Sequence, residues 1–269
     1  MEYILELNNV TKSFVGLIAV NGLSMQMQKR TIHSLIGPNG SGKTTSINVI
    51  NGVLPSSDGK IVFDGNVISG MQTFKISRLG MGRTFQNIKL FGTMSVLENL
   101  MVGAHSMSTR NSLIRFLVDI KGSRTEEKWM REKAEEVAVF IGLKDLIHKE
   151  VGGLAYGQQK MTELGRAIIN DPKLVLLDEP AAGLNPSERQ TLVGLFVKLF
   201  ESGIDLLLVE HNMDVVMNIS HKITVLNFGT KIAEGSPSDI QHDTEVIKAY
   251  LGDRYKPTHK GGSANAHSQ

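Results

Sequence analysis

The run Gly37-Pro38-Asn39-Gly40-Ser41-Gly42-Lys43-Thr44 has the spacing G-x-x-x-x-G-K-[ST], which suits the holding of a chain of phosphates. Gly40 and Gly42 let the backbone turn its N–H groups inward, and a helix opening at this point adds its positive N-terminus. Lys43 then reaches the outer phosphates, and the Thr44 hydroxyl can ligate Mg²⁺. A glycine-rich surface turn would share this composition. Here, however, the run follows the apolar segment from Thr31 to Ile36 and opens a helical one. A second piece is Lys173-Leu-Val-Leu-Leu-Asp178-Glu179-Pro180, where an apolar segment delivers two adjacent carboxylates. Strand ends of this kind are where α/β sheets bind ligands. Asp178 suits the Mg²⁺ shell and Glu179 the polarising of an attacking water. By itself, an acidic pair after a strand is more often a helix cap. Behind a phosphate loop the reactive reading is the stronger one.

These residues need a scaffold that brings distant segments to one edge. Ile4, Leu5 and Leu7, then Val20, Leu23, Met25 and Met27, alternate with period two and predict strands. The runs Leu174 to Leu177 and Leu206 to Val209 are nearly continuously apolar, as parallel strands covered on both faces require. Between them Asn185, Pro186 and Glu188 have capping-box spacing, and Leu192, Leu195, Phe196 and Leu199 form a helical stripe. Strands alternating with helices predict an α/β fold with a mainly parallel sheet. From about Ser95 to Asn170 no strand is evident. Thr125 to Ile141 is helical, with Met130, Ala134, Val137 and Ile141 on one face and Gly142 as a stop. That predicts a helical subdomain inserted into the core. The end, Thr258 to Gln269, has no periodicity and reads as a disordered tail.

The 269 residues carry a formal charge of +2, too near balance to suggest a nucleic-acid partner by charge. Hydrophobic residues make up 41%, enough for a substantial core. With no cysteine, disulfides and thiolate metal sites are excluded. Met1-Glu2-Tyr3-Ile4 does not start like a signal peptide, and no apolar run approaches the ~18–20 residues of a membrane span. A role at a membrane would therefore be played from the cytoplasmic side, on a partner.

With both motifs in place the chain resembles the ATPase cassettes of ABC transporters, over residues 3 to about 252. The resemblance implies a P-loop NTPase (RecA-like) core with an N-terminal antiparallel part. It places the core at about 1–92 and 166–252, the helical subdomain at about 93–165 and a flexible tail at 253–269. It implies that residues Gly37 to Thr45 hold ATP, with Thr44, Asp178 and Gln86 around Mg²⁺. Gln86, in Gly-Arg-Thr-Phe-Gln, matches the glutamine loop, and His211, after Leu208-Val209-Glu210, matches the switch histidine. Phe14 stands where the family stacks a ring on adenine. Ala155, Tyr156, Gly157 and Gln158 match the signature that caps ATP on the opposite subunit, and Ala181 to Asn185 matches the loop after the catalytic glutamate. Taken singly, Phe14 could be a core aromatic, His211 a neighbour of a helix cap and Gln86 an ordinary loop residue.

Two departures matter. Ala155 and Tyr156 replace the usual signature serine and first glycine, and Asn185 replaces an aspartate. Backbone N–H groups of the helix beginning near Gly157 would then replace the serine hydroxyl. Serine at 155 should be tolerated, whereas aspartate at 157 should be severe, facing the partner's γ-phosphate. Leu-Ala-Tyr-Gly-Gln-Gln, Ala-Ala-Gly-Leu-Asn-Pro and Val-Ile-Lys-Ala-Tyr-Leu-Gly resemble ATPases of branched-chain amino-acid importers, the LivG-like group. Urea-importer and lipopolysaccharide-exporter ATPases share parts of this pattern. The implied partners are membrane permease subunits, a second ATPase subunit and, indirectly, an external solute-binding protein. Leu90 and Phe91, just after Gln86, would lie beside a groove for the permease, with core packing as the alternative. A soluble ABC ATPase acting on DNA or ribosomes would show a second cassette, a coiled-coil insertion or cysteine–zinc modules, and none is seen. A P-loop kinase would not need Gln86, Gly157 and His211 together.

Overall fold

The alternation near the N-terminus builds a long antiparallel pair, β1 (Tyr3–Phe14) and β2 (Leu17–Gln28). The computed structural model describes residues 2–104 and 120–251, so the expected tail at 253–269 lies outside the described residues. Next come β3 (Ile32–Ile36) and α1 (Lys43–Ile50). β4 (Asp58–Phe63) and the short β5 (Asn66–Val67) then return to β1, giving an antiparallel sheet in the order β2-β1-β4-β5. Its inner face carries Leu5, Leu7, Met25, Met27 and Phe63 onto α1.

After α2 (Thr73–Arg78) the chain adds β6 (Met81–Arg83) and leaves the sheets for three helices, α3 (Val96–Ala104), α4 (Ile120–Phe140) and α5 (Tyr156–Ile168). The expected helical subdomain is therefore present. Ala134, Val137 and Ile141 are buried and Met130 partly so, in one cluster with Leu97, Leu100, Leu164 and Ile168. Gly142, at φ +74°, ends the turn after α4. The helix extends further toward the N-terminus than the predicted Thr125. Among the described residues from 95 to 170 no strand forms, only an isolated bridge between Ser95 and Glu150.

β7 (Leu174–Asp178), α6 (Pro186–Glu201), β8 (Asp205–Val209), α7 (Met213–Ile219), β9 (Lys222–Asn227) and β10 (Thr230–Gly235) complete the core, followed by α8 (Pro237–His242) and α9 (Thr244–Leu251). The second sheet runs β10-β9-β3-β8-β7-β6, parallel throughout except for the β9–β10 pair. Every residue of β3, β7 and β8 is buried, as expected for strands covered on both faces. α6 covers one face with Leu192, Leu195, Phe196 and Leu199. Its start is the predicted capping box: the Glu188 N–H donates to Asn185 Oδ1, and the Asn185 N–H donates to Glu188 Oε2, both at 3.0 Å.

One buried group makes the core pH-sensitive. His33, in β3, is fully buried, with Nε2 2.8 Å from Thr224 Oγ1. Desolvation pushes its pKa down to about 4, whereas in the unfolded chain it titrates near ~6.5. Between those values the unfolded chain binds the extra proton, so stability falls as pH drops from about 6.5 to about 4. The slope contributed is at most about 1.4 kcal/mol per pH unit. Urea melts across that window should show a flatter pH dependence for His33→Gln than for the parent protein.

Candidate functional site

The loop expected to hold phosphates joins β3 to α1. Gly42 has φ +99°, and a Cβ there would come 2.4 Å from the Ala19 carbonyl oxygen, so glycine is required twice over. The Gly229 N–H donates to Ser41 O at 3.0 Å, tying the loop to the β9–β10 turn. Lys43 Nζ folds back and donates to the carbonyls of Gly37 (2.8 Å) and Pro38 (2.9 Å). Burial pulls its pKa down, while Glu179 and Asp178 oppose the shift.

The loop opens onto a cleft of about 740 Å³. Asn39, Gly40, Ser41, Gly42, Lys43, Thr44 and Thr45 line it, and across from them stand Phe14, Gln86, Glu179 and His211. Gly37 and Pro38 contribute only through the carbonyls that hold Lys43. Phe14 is half-exposed with Lys12 Nζ 5.1 Å from its ring centre, so it is not a core aromatic. Phe228, 85% exposed at the cleft rim, was not foreseen from the sequence.

The two carboxylates part company at the end of β7. Glu179 takes φ +47°, an unusual conformation for a side-chain-bearing residue, with strain of order ~1–3 kcal/mol. Its N–H donates to Val209 O at 2.8 Å. Its Oε2 accepts from Gln86 Nε2 at 2.9 Å and lies 3.8 Å from His211 Nδ1. Asp178 turns inward, 2% exposed, and its Oδ2 meets Arg83 Nη2 at 3.1 Å. Burial raises the Asp178 pKa, opposed by the Arg83 guanidinium.

The expected signature residues do not line this cleft. They form the start of α5, with Ala155 as N-cap. Gln158 Oε1 accepts from the Ala155 N–H at 3.2 Å, so that side chain caps its own helix. A Cβ at Gly157 would lie 2.8 Å from Glu188 Oε1. An aspartate at 157 would set a second carboxylate against the end of the Glu188 side chain of its own chain.

Comparison with known proteins gives this site its family. Residues 20–182 match the model of the ABC transporter family, and residues 230–256 match that of the branched-chain amino acid ATP-binding cassette transporter. The chain belongs to the ABC transporter family. It is 41% identical over 251 residues to the high-affinity branched-chain amino acid transport ATP-binding protein BraF of Pseudomonas aeruginosa, covering 93% of this chain and 98% of that one. Identity to LivG of Escherichia coli K12, of the same description, is 38% with the same coverage. A crystal structure of the ADP conformation of an ATP-binding cassette superposes with a TM-score of 0.80 at 32% identity, covering 94% of this chain and all of that one. The chain is thus an ABC ATP-binding subunit, an ATPase coupled to transport.

Within this ABC cassette the residues present fit magnesium. Asp178 Oδ1 is buried without a hydrogen-bond partner among the described residues, and Thr44 and Gln86 line the cleft beside it. Among the described residues no group of three or more His, Cys, Asp or Glu forms a self-sufficient metal cage. A few hard oxygens completed by phosphates and water are what Mg²⁺ takes.

Sequence reasoning missed several residues that hold this site. Glu210, fully buried, accepts from the N–H groups of Ala181 (2.8 Å), His211 (3.1 Å) and Asn212 (3.2 Å). It fastens the loop after Glu179 to the loop carrying His211. Its place directly after an apolar strand, like that of Asp178 and Glu179, was the available signal. Arg83 lies within the motif quoted for Gln86, yet only the fold pairs it with Asp178 and Asn48. Breaking one side of such a buried pair costs about 3–5 kcal/mol, so Arg83→Met should lower the urea midpoint sharply. The double variant Arg83→Met/Asp178→Asn should recover most of that loss, as a double-mutant cycle of urea unfolding will show.

Proposed function

We propose that this chain pairs head to tail with a second ATPase subunit and hydrolyses MgATP to drive permease subunits that import branched-chain amino acids. The observation that carries the mechanism is the meeting of Gln86, Glu179 and His211 on the cleft that Lys43 and the phosphate loop open onto. The start of α5 is absent from that cleft, which supports its use against a partner's nucleotide. Its first-turn N–H groups receive no side-chain cap from Ala155 and remain donors.

Lys43 Nζ would leave the carbonyls of Gly37 and Pro38 for the β- and γ-phosphate oxygens, and Phe14 would stack on the base. Glu179 would orient the attacking water and take its proton, with Gln86 holding the carboxylate in place beforehand. His211 would donate to the γ-phosphoryl oxygens as charge develops on them. Thr44, Asp178 and Gln86 would hold Mg²⁺, which would supply positive charge to offset that of the phosphates. Glu179→Gln should retain ATP binding while lowering hydrolysis by roughly 10²–10⁴. Lys43→Ala should weaken ATP binding itself. Titration with a fluorescent ATP analogue beside a phosphate-release assay separates the two, and wild-type turnover in Glu179→Gln would remove its role.

The solute class rests on the names of BraF and LivG and on the match at residues 230–256. Among the described residues no helix is long and apolar enough to cross a membrane; the reading places the chain at the cytoplasmic face, working through permease subunits. An external solute-binding protein would act on those subunits. The helical subdomain, about 93–165, would move relative to the core as the nucleotide pair closes. Leu90 is partly buried against the helical core, whereas Phe91 is 49% exposed. Only the second suits docking of a permease segment. Phe91→Ser should keep the melting temperature and ATP affinity yet reduce transport in reconstituted vesicles. Unchanged transport would end the docking role.

A further inference from the structure

α5 carries two buried charges that the chemistry above does not use. Lys160 and Glu163, one turn apart, are 4% and 2% exposed. A charge so buried costs several kcal/mol unless partners meet it. Burial accordingly draws the Lys160 pKa down and pushes the Glu163 pKa up. The hydrogen-bond partners they find belong to one short segment, while Lys160 also lies 5.7 Å from the Tyr156 ring centre and the two opposite charges support each other. Lys160 Nζ donates to the Gln86 carbonyl at 3.2 Å. Glu163 Oε1 accepts from the Phe85 N–H at 3.4 Å and the Lys89 N–H at 3.3 Å. Segment 85–89 follows β6 and is neither helix nor strand. One face of α5 thus grips it through acceptor and donor groups on both sides of Gln86.

The other end of each connection is already described. The Gln86 side chain holds the Glu179 carboxylate, and the first turn of α5 is formed by Tyr156 and Gly157. We propose that Lys160 and Glu163 are positioning residues that transmit engagement of this chain's α5 N-terminus with the partner's nucleotide to Gln86, and so to Glu179 in its own site. This link rests on the head-to-tail pairing proposed above. An α5 displaced by the partner's nucleotide must carry segment 85–89 with it, because slippage would strip two buried charges of their hydrogen bonds to that segment. The two nucleotide sites then report to each other through a single helix within one subunit.

The test uses the complete transporter in vesicles and reads hydrolysis rate against ATP concentration. Lys160→Met/Glu163→Gln removes both buried charges together and avoids leaving either alone. For this double variant, affinity for a fluorescent ATP analogue should stay within about twofold of wild type. Its maximal rate should fall about tenfold, the scale of one lost charge-assisted contact felt in the transition state. Its Hill coefficient should drop to one from a wild-type value above one. Lys160→Arg, which keeps the charge and a donor, should retain cooperativity. Cooperativity surviving in a folded double variant overturns this link while leaving the paired sites standing. A wild-type Hill coefficient of one also overturns the link, whereas ATPase subunits that fail to associate with ATP bound overturn the pairing on which it rests. Should the double variant not fold, hydrogen exchange on the wild-type complex decides. ATP must slow exchange at 85–89 in step with 155–160, and independent behaviour of the two segments overturns the proposal.

Discussion

The site depends on the register of three parallel strands. β3 pairs with β8 so that Leu35 stands beside Val209, and β8 pairs with β7 so that Val209 stands beside Asp178. The phosphate loop, the two carboxylates and the Glu210–His211 pair therefore leave the sheet at one level. A slip of one residue would move a strand end by ~3.3 Å and reverse the facing of its side chains. The apolar interiors of β7 and β8, covered on both faces, do little to forbid that slip. The polar ends do: the Glu179 N–H bonds to Val209 O, and Glu210 collects three N–H groups across the same edge.

That edge holds a concentration of costly features. Asp178, Glu210, Lys160, Glu163 and Lys43 are all buried, and Glu179 takes a left-handed backbone conformation. A site designed for stability alone would replace several of them with apolar residues. These charges instead hold loops in place: Glu210 the segments after β7 and β8, Glu163 and Lys160 together the segment after β6, Lys43 the start of the phosphate loop, while Arg83 holds Asp178. Because the penalty for leaving any of them unpartnered is large, the loops cannot move independently. Buried charge here exchanges stability for coordinated position.

The exposed features tell a complementary story. Phe14 and Phe228 stand at the rim of the cleft with much of their apolar surface in water, a placement that the hydrophobic effect penalises until a flat, weakly polar group covers it. The α5 N-terminus leaves first-turn donors uncapped by Ala155. Both point outward from the subunit's own core, and both become favourable only when ligand or partner arrives.

The sequence by itself determined everything whose physics is local or periodic. The phosphate loop was legible because its glycines and lysine are contiguous, the α6 capping box because its residues lie three apart, and the buried strands because both faces are apolar. Gln86, Glu179 and His211 were singled out through an ordered resemblance, without their distances. Tertiary structure alone decided which charges pair, because Arg83 meets Asp178 across 95 residues and Glu163 meets Phe85 across 78. It also decided that Gly157 lies against Glu188 and that Leu90 faces inward while Phe91 does not. Linear spacing carries no record of such contacts. They arise only when strands and helices pack and desolvation forces each buried charge to find whichever partner the fold has placed beside it.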